Sequence, residues 1–164
     1  MQRRHLTTGE IELLRSIFKE AIDYSRVELV NGKWWPFHPR GAAMAPSGKI
    51  WFHPRGGGWS EDFSREQLGL QAFFVHEMTH VWQAQKLGRL YLPLMRHPFC
   101  RYSYRLKEGK RFTEYGIEQQ AEIVRHRFLA DRGAPQAQVP PRELLPFFAN
   151  DIHCHNPATA NQRK

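Results

Sequence analysis

The sequence predicts an α+β chain, and three observations predict it. Two stretches of apolar residues at helical spacing open on capping signals, a third stops on glycine, and the β-rich runs are short and lie in the first third of the chain. At 164 residues the chain is long enough for one domain with a real core and short for two. A single domain over 1–164 is expected, with its core at about 6–133 and a proline-punctuated tail over 134–164.

The first helix follows Thr7-Thr8-Gly9-Glu10, a capping box. Ile11, Leu14, Ile17 and Phe18 then recur at helical spacing, with Ala21 and Ile22 after them. Val27 to Trp35 alternates as a strand does, with an Asn31-Gly32 turn inside it, and Lys49-Ile50-Trp51-Phe52 is the stronger strand. Each run leads into the same exit, Phe37-His38-Pro39-Arg40-Gly41 and Phe52-His53-Pro54-Arg55-Gly56. Ser64-Arg65-Glu66-Gln67 reads as a second capping box, opening a helix that runs to Leu87, where Gly88 stops it. Pro93 and Pro98 break the following stretch, and Tyr102 to Leu106 reads as extended. A third helix is predicted from about Tyr115 to Arg132, ended by Gly133-Ala134-Pro135, with a short one near Arg142 to Phe148.

The net charge is +8, and 17 of the 24 basic residues are arginine. That balance suits an acidic or polyanionic partner without naming one. Between Lys86 and Arg111, eight basic residues interleave with Tyr91, Phe99, Tyr102 and Tyr104, a pattern shared by single-strand binding surfaces and by solvated basic loops. Two cysteines, Cys100 and Cys154, make no disulfide framework. His153-Cys154-His155 holds possible ligands, but lies in the tail. No apolar run is long enough to span a bilayer, and none follows the basic N-terminus as a secretory signal would. The expectation is therefore a cytoplasmic protein, or one exported without a cleavable signal.

The chemistry concentrates in Phe74-Val75-His76-Glu77-Met78-Thr79-His80-Val81-Trp82-Gln83. Histidines at i and i+4 stand one helical turn apart on the same face, where both imidazoles can reach one zinc ion. Zinc brings the pKa of a water toward neutrality, and a carboxylate placed like Glu77 can take its proton. A catalytic zinc needs a third protein ligand. No histidine continues the motif as His-x-x-Gly-x-x-His, since Gly88 comes eight residues after His80. Glu118 and Glu122 are the alternatives. They flank the apolar stripe Ile117, Ala121, Val124 and Phe128 of the third helix, and spacing alone does not choose between them. His126 could extend that polar face, and Arg125 could pair with Glu122.

With those residues in view, the chain resembles the gluzincin metallopeptidases, particularly the compact ones. The segments 74–83 and Ile117-Glu118-Gln119-Gln120-Ala121-Glu122-Ile123-Val124 look closer still to small bacterial zincin-like proteins labelled Vgr-related or placed near Rhs/Vgr systems. The resemblance implies a minimal zincin fold in which an active-site helix and a second ligand-bearing helix pack beside a small sheet. It implies His76, His80 and Glu118 as zinc ligands, Glu77 as general base, and Glu122 as a carboxylate orienting a ligand histidine. Those families more often carry aspartate or asparagine at that last position. The resemblance also implies an edge strand that pairs with extended substrate, for which Lys49 to His53 is the candidate. Tyr102, Tyr104, Tyr115 and His97 are candidate donors to an oxyanion.

Three functions are consistent with this reading. The first is a zinc-dependent peptidase acting on peptide or protein. The second is a zinc-containing accessory or binding module of a secretion or toxin system, which a filled fourth zinc position would favour. The third is a nucleic-acid binder, whose binding would fall steeply with salt.

Overall fold

The structure, a computed structural model, describes residues 1–41, 43–45, 48–88, 92 and 101–148. Its regular elements are strand β1 (Gln2–His5), helix α1 (Thr8–Phe18), strands β2 (Glu28–Asn31), β3 (Ala43–Met44) and β4 (Lys49–Phe52), helix α2 (Leu68–Leu87) and helix α3 (Ile117–Ala130). The four strands form one mixed sheet in the order β1-β2-β4-β3. β1 runs antiparallel to β2, β2 parallel to β4, and β3 antiparallel to β4. The expected α+β architecture is thus present as three helices and a small sheet among the described residues.

The capping box at Thr7 forms as expected. Glu10 N–H donates to Thr7 Oγ1 at 3.1 Å, and Thr7 N–H donates back to Glu10 Oε2 at 2.8 Å. Glu10 also does more than cap. Its fully buried carboxylate takes both arms of the Arg4 guanidinium, at 2.7 and 2.8 Å, and the Phe63 N–H at 2.9 Å. One side chain therefore ties β1, α1 and the turn before α2 together. Helix α1 stops at Phe18 rather than running on to Ile22, because Lys19 adopts a left-handed φ of 52°.

The second capping box does not form. Asp62, not Ser64, does the capping: it accepts from Ser64 N–H at 3.0 Å and from Ser64 Oγ at 2.6 Å, closing a 3-10 turn over Phe63–Arg65. With the Ser64 hydroxyl so engaged, α2 begins later, at Leu68. Gln71, in its first turn, reaches back to the Ser64 and Glu66 carbonyls at 2.9 and 3.0 Å. The far end stops as predicted, with Gly88 at φ 98° and its N–H on the Ala84 carbonyl.

Three other readings change. The strand predicted over Val27 to Trp35 is limited to Glu28–Asn31, since Gly32 N–H turns to the Phe52 carbonyl at 2.9 Å and the chain leaves the sheet. Lys49 to His53 is not an edge strand. β4 lies inside the sheet, with β2 along one side and β3 against Trp51 and Phe52 on the other. The short helix near Arg142 to Phe148 is a 3-10 turn over Arg142–Leu144. The paired exits of β2 and β4 pack on each other: the buried rings of His38 and His53 meet edge to face at 5.7 Å. Gly56 is required there, because a Cβ would lie 1.9 Å from the Arg40 carbonyl oxygen.

The core gathers Leu14, Ile17 and Phe18 of α1, Leu29, Ile50 and Phe52 of the sheet, Phe74, Val75, Met78 and Val81 of α2, and Ile123, Val124 and Phe128 of α3. Phe63 stacks on Phe74 at 4.3 Å and 9°. Leu145 and Phe148, beyond α3, are buried in the same cluster. α2 is the central element, and every residue from Phe74 to Ala84 is buried. A helix covered all round must satisfy its polar side chains from within. That requirement builds the site.

Candidate metal centre

Five polar side chains lie in the buried run of α2: His76, Glu77, Thr79, His80 and Gln83. Thr79 satisfies itself on the Val75 carbonyl at 3.0 Å, one turn back. Gln83 Nε2 donates to the Ile117 carbonyl at 3.1 Å and to Gln120 Oε1 at 2.9 Å. Both amide hydrogens are then used, so its Oε1 is the atom facing His80 Nδ1 at 2.8 Å. His80 must donate from Nδ1, which leaves the Nε2 lone pair facing Glu118 Oε2 at 3.1 Å.

His76 is arranged in parallel. Its Nδ1–H donates to Glu122 Oε1 at 2.8 Å, and its Nε2 lies 3.3 Å from the same Glu118 oxygen. Two imidazole nitrogens and one carboxylate oxygen thus point at one place, with the ligating atoms of His76, His80 and Glu118 all within 4.8 Å of one another. With both imidazoles neutral and Glu118 ionised, lone pair would meet lone pair there, and a cation between them resolves that conflict. With only protein groups around it, burial works against a charged His76. The Glu118 and Glu122 carboxylates outweigh burial and push its pKa up to about 9.

The position is set by how α3 crosses α2. Glu118 sits in the first turn of α3 and is buried, whereas Glu122, one turn on, keeps partial exposure. Burial alone would raise Glu122, but His76 and Arg125 hold its carboxyl below the ordinary value. Arg125 reaches it at 3.1 Å and His126 Nε2 at 3.5 Å. His126 in turn shares its Nδ1 with the Tyr104 hydroxyl at 2.7 Å. His126 therefore belongs to the surroundings of Glu122 and is not part of the three-residue cluster.

A cleft of about 310 Å³ opens beside the cluster, with His76 and Glu77 in its wall and Ala43, Phe73, Tyr102 and Arg125 around it. Ala43 belongs to β3, the sheet's outer strand on this side, so the strand bordering the cleft is β3 and not Lys49 to His53. Of the aromatic donors considered, the Tyr102 ring stacks against His76 at 6.2 Å and 19°. Tyr104 is bound to His126, and Tyr115 is buried away from the cleft. His97, the two cysteines and His153-Cys154-His155 lie outside the described residues.

Glu77 is the exception among the five polar side chains in the buried run of α2. Its side chain is buried, yet Oε2 has no hydrogen-bond partner among the described residues. Buried carboxylate oxygens are normally paired, and an orphan in a cleft wall marks a place where another molecule belongs.

Sequence reasoning did not pick out Gln83 and Gln120. Gln120 Nε2 closes the chain on the Tyr115 carbonyl at 2.8 Å, so a continuous amide relay from α3 fixes the His80 tautomer. A glutamine three residues after His80, inside an apolar run, was the available signal.

An α+β fold that closes a His–His–Glu cluster beside a cleft defines a candidate metalloprotein. The chain belongs to the family of the VgrG2b effector domain. It is similar to the solved structure of that domain from Pseudomonas aeruginosa with a TM-score of 0.67 and 38% identity, over 79% of this chain and 75% of that one. It is also 41% identical over 133 residues to the type VI secretion system spike protein VgrG2b of Pseudomonas aeruginosa. That match takes in 77% of this chain and 13% of the spike protein, so the chain spans about an eighth of the relative's length. No family model matches the sequence. No helix among the described residues is long and apolar enough to cross a membrane.

Proposed function

We propose that this chain is an effector domain of a type VI-like secretion system whose chemistry is zinc-dependent hydrolysis of peptide bonds, on a compact gluzincin-like fold. The convergence of His76 Nε2, His80 Nε2 and Glu118 Oε2, with both Nδ1 atoms already committed as donors, carries the reading. The donor set fits zinc. Two imidazole nitrogens and a carboxylate oxygen are a zinc-type donor set, and Glu118 Oε2 lies 3.1 and 3.3 Å from the two histidines, close enough for one ion to be shared. Zinc held there by His76, His80 and Glu118 would supply a water of lowered pKa and would polarise a carbonyl.

The chain's own residues do the rest. Glu122 and Gln83 hold the two imidazoles in the tautomer that offers Nε2. Glu77 Oε2, with no protein partner of its own, accepts a proton from the attacking water and returns it to the leaving nitrogen. β3 at the rim offers backbone groups to an extended substrate. The secretion context rests on the relatives, which are a spike protein and its effector domain.

An accessory module with a structural metal is the second reading. Tyr102, stacked on His76, is the observation that favours it, since an aromatic over the cluster limits access.

Two measurements test the proposal. Purified chain should carry close to one zinc per molecule, and hydrolysis of an unfolded protein substrate should stop on chelation and return with zinc. Metal-replete protein with no hydrolysis would leave the accessory reading. Glu122→Gln is expected to weaken zinc binding about 10- to 100-fold, and Glu118→Ala by more, in competition with a chromophoric chelator. Unchanged affinity in Glu118→Ala would remove Glu118 as a ligand.

A further inference from the structure

Residues 101–107 pass the cleft with no regular structure, yet side chains hold them in place. Gln119 Nε2 donates to the Ser103 carbonyl at 2.7 Å. Gln138 donates to the Tyr104 carbonyl at 3.2 Å and accepts from Leu106 N–H at 2.8 Å. The Tyr115 hydroxyl donates to the Arg105 carbonyl at 3.4 Å and accepts from Lys107 N–H at 3.3 Å. An extended chain fixed in this way sends successive side chains in different directions. Tyr102 turns to the cleft, whereas Arg101, Ser103 and Arg105 line a separate groove of about 440 Å³ with Lys107 and Lys110.

No carboxylate lines this groove. Arg101, Arg105 and Lys107 make no ion pair among the described residues, and Glu114, close by in sequence, is engaged by Arg111. Four cations on a braced backbone, with no counter-charge in the lining, create a local positive field that an anionic partner relieves. The two aromatics of the lining, Tyr104 and Tyr115, argue against a stack of nucleobases: Tyr115 is buried with the Lys110 ammonium over its ring at 4.1 Å, and the Tyr104 ring packs against Tyr115 and His126 with its hydroxyl on His126. Residues 101–107 border both the cleft, through Tyr102, and the groove, so a chain lying in one has a short path to the other.

We propose that this groove is an exosite for an acidic segment of the protein substrate, flanking the stretch that enters the cleft. The proposal rests on the hydrolase reading. Exposed ion pairs are individually weak, so the groove acts through several at once and through steering.

The test uses Glu77→Gln, which binds without cutting, and a fluorescent Glu/Ala peptide beside its Gln/Ala counterpart. Arg101, Arg105 and Lys107 are exposed, so the triple variant R101Q/R105Q/K107Q keeps the fold. The Glu/Ala peptide should bind more tightly than its neutral counterpart, and the triple variant should lose roughly 10-fold or more of that affinity together with most of its salt dependence. In the chain that retains Glu77, the same triple change should raise KM for acidic substrates with kcat unaltered. Equal binding of the two peptides, or full affinity in the triple variant, overturns the proposal. So does tighter, equally variant-sensitive binding of a single-stranded oligonucleotide of matched charge. If the chain with Glu77 intact cuts no peptide while the acidic peptide still binds here, the hydrolase reading falls and the groove's preference for acidic peptide stands.

Discussion

Glu77→Gln is expected to leave fold and zinc content unchanged and to lower peptide hydrolysis by about 10²- to 10⁴-fold, the usual contribution of a placed general base. The expectation comes from one atom. Glu77 Oε2 is the buried α2 side-chain oxygen left without a partner, while Thr79, His80 and Gln83 beside it are all engaged. An amide of the same shape removes the proton acceptor without taking a hydrogen bond from the protein, so stability should hold. Steady-state kinetics with zinc analysis of the same preparation checks it. Full activity in the variant would sink the mechanism, and loss of zinc would move Glu77 into a holding role.

The second large effect concerns the frame. Glu10→Ala is expected to cost about 3–5 kcal/mol, as removing one partner of a buried ion pair does. In a chain of this size that is a fall in Tm of roughly 6–20 °C. The carboxylate is fully buried and binds Arg4 through both arms, while the N–H groups of Thr7 and Phe63 depend on it too. The double change R4M/E10L should therefore restore only part of the loss, because it re-pairs the ion site with apolar groups but leaves both N–H groups unmet. Thermal unfolding followed by circular dichroism reads both variants. A Glu10→Ala chain within about 1 kcal/mol of the parent would show that the buried pair is not what joins β1, α1 and the turn before α2.

Much of the helical framework was legible because helix signals are local. Thr7 and Glu10 are three residues apart, and Gly88 and Gly133 stop their helices whatever packs around them. The errors fell where a residue had a choice of partners. Ser64 has the spacing of a cap, but Asp62, two residues earlier, takes its hydroxyl first. Lys49 to Phe52 has the composition of a strand, and nothing in those four residues says that β3 will pair outside them. Strand β1 went unread because Gln2-Arg3-Arg4-His5 has no apolar alternation, and its pairing with β2 is a matter of backbone register.

The two histidines at 76 and 80 were readable for the same local reason, since four residues of helix bring two side chains onto one face. The third member was not. Glu118 and Glu122 share a face of α3, and only the way α3 crosses α2 puts Glu118 between the two Nε2 atoms and Glu122 behind His76. By itself, then, the sequence determined that a helix would offer two imidazoles with one carboxylate, Glu77, beside them. The tertiary structure decided which later acid meets them, that Gln83 and Gln120 would hold His80 from behind, and that the strand at the cleft is β3. Helical spacing is set by bonds within one segment, whereas these choices depend on distances between segments that spacing along the chain does not encode.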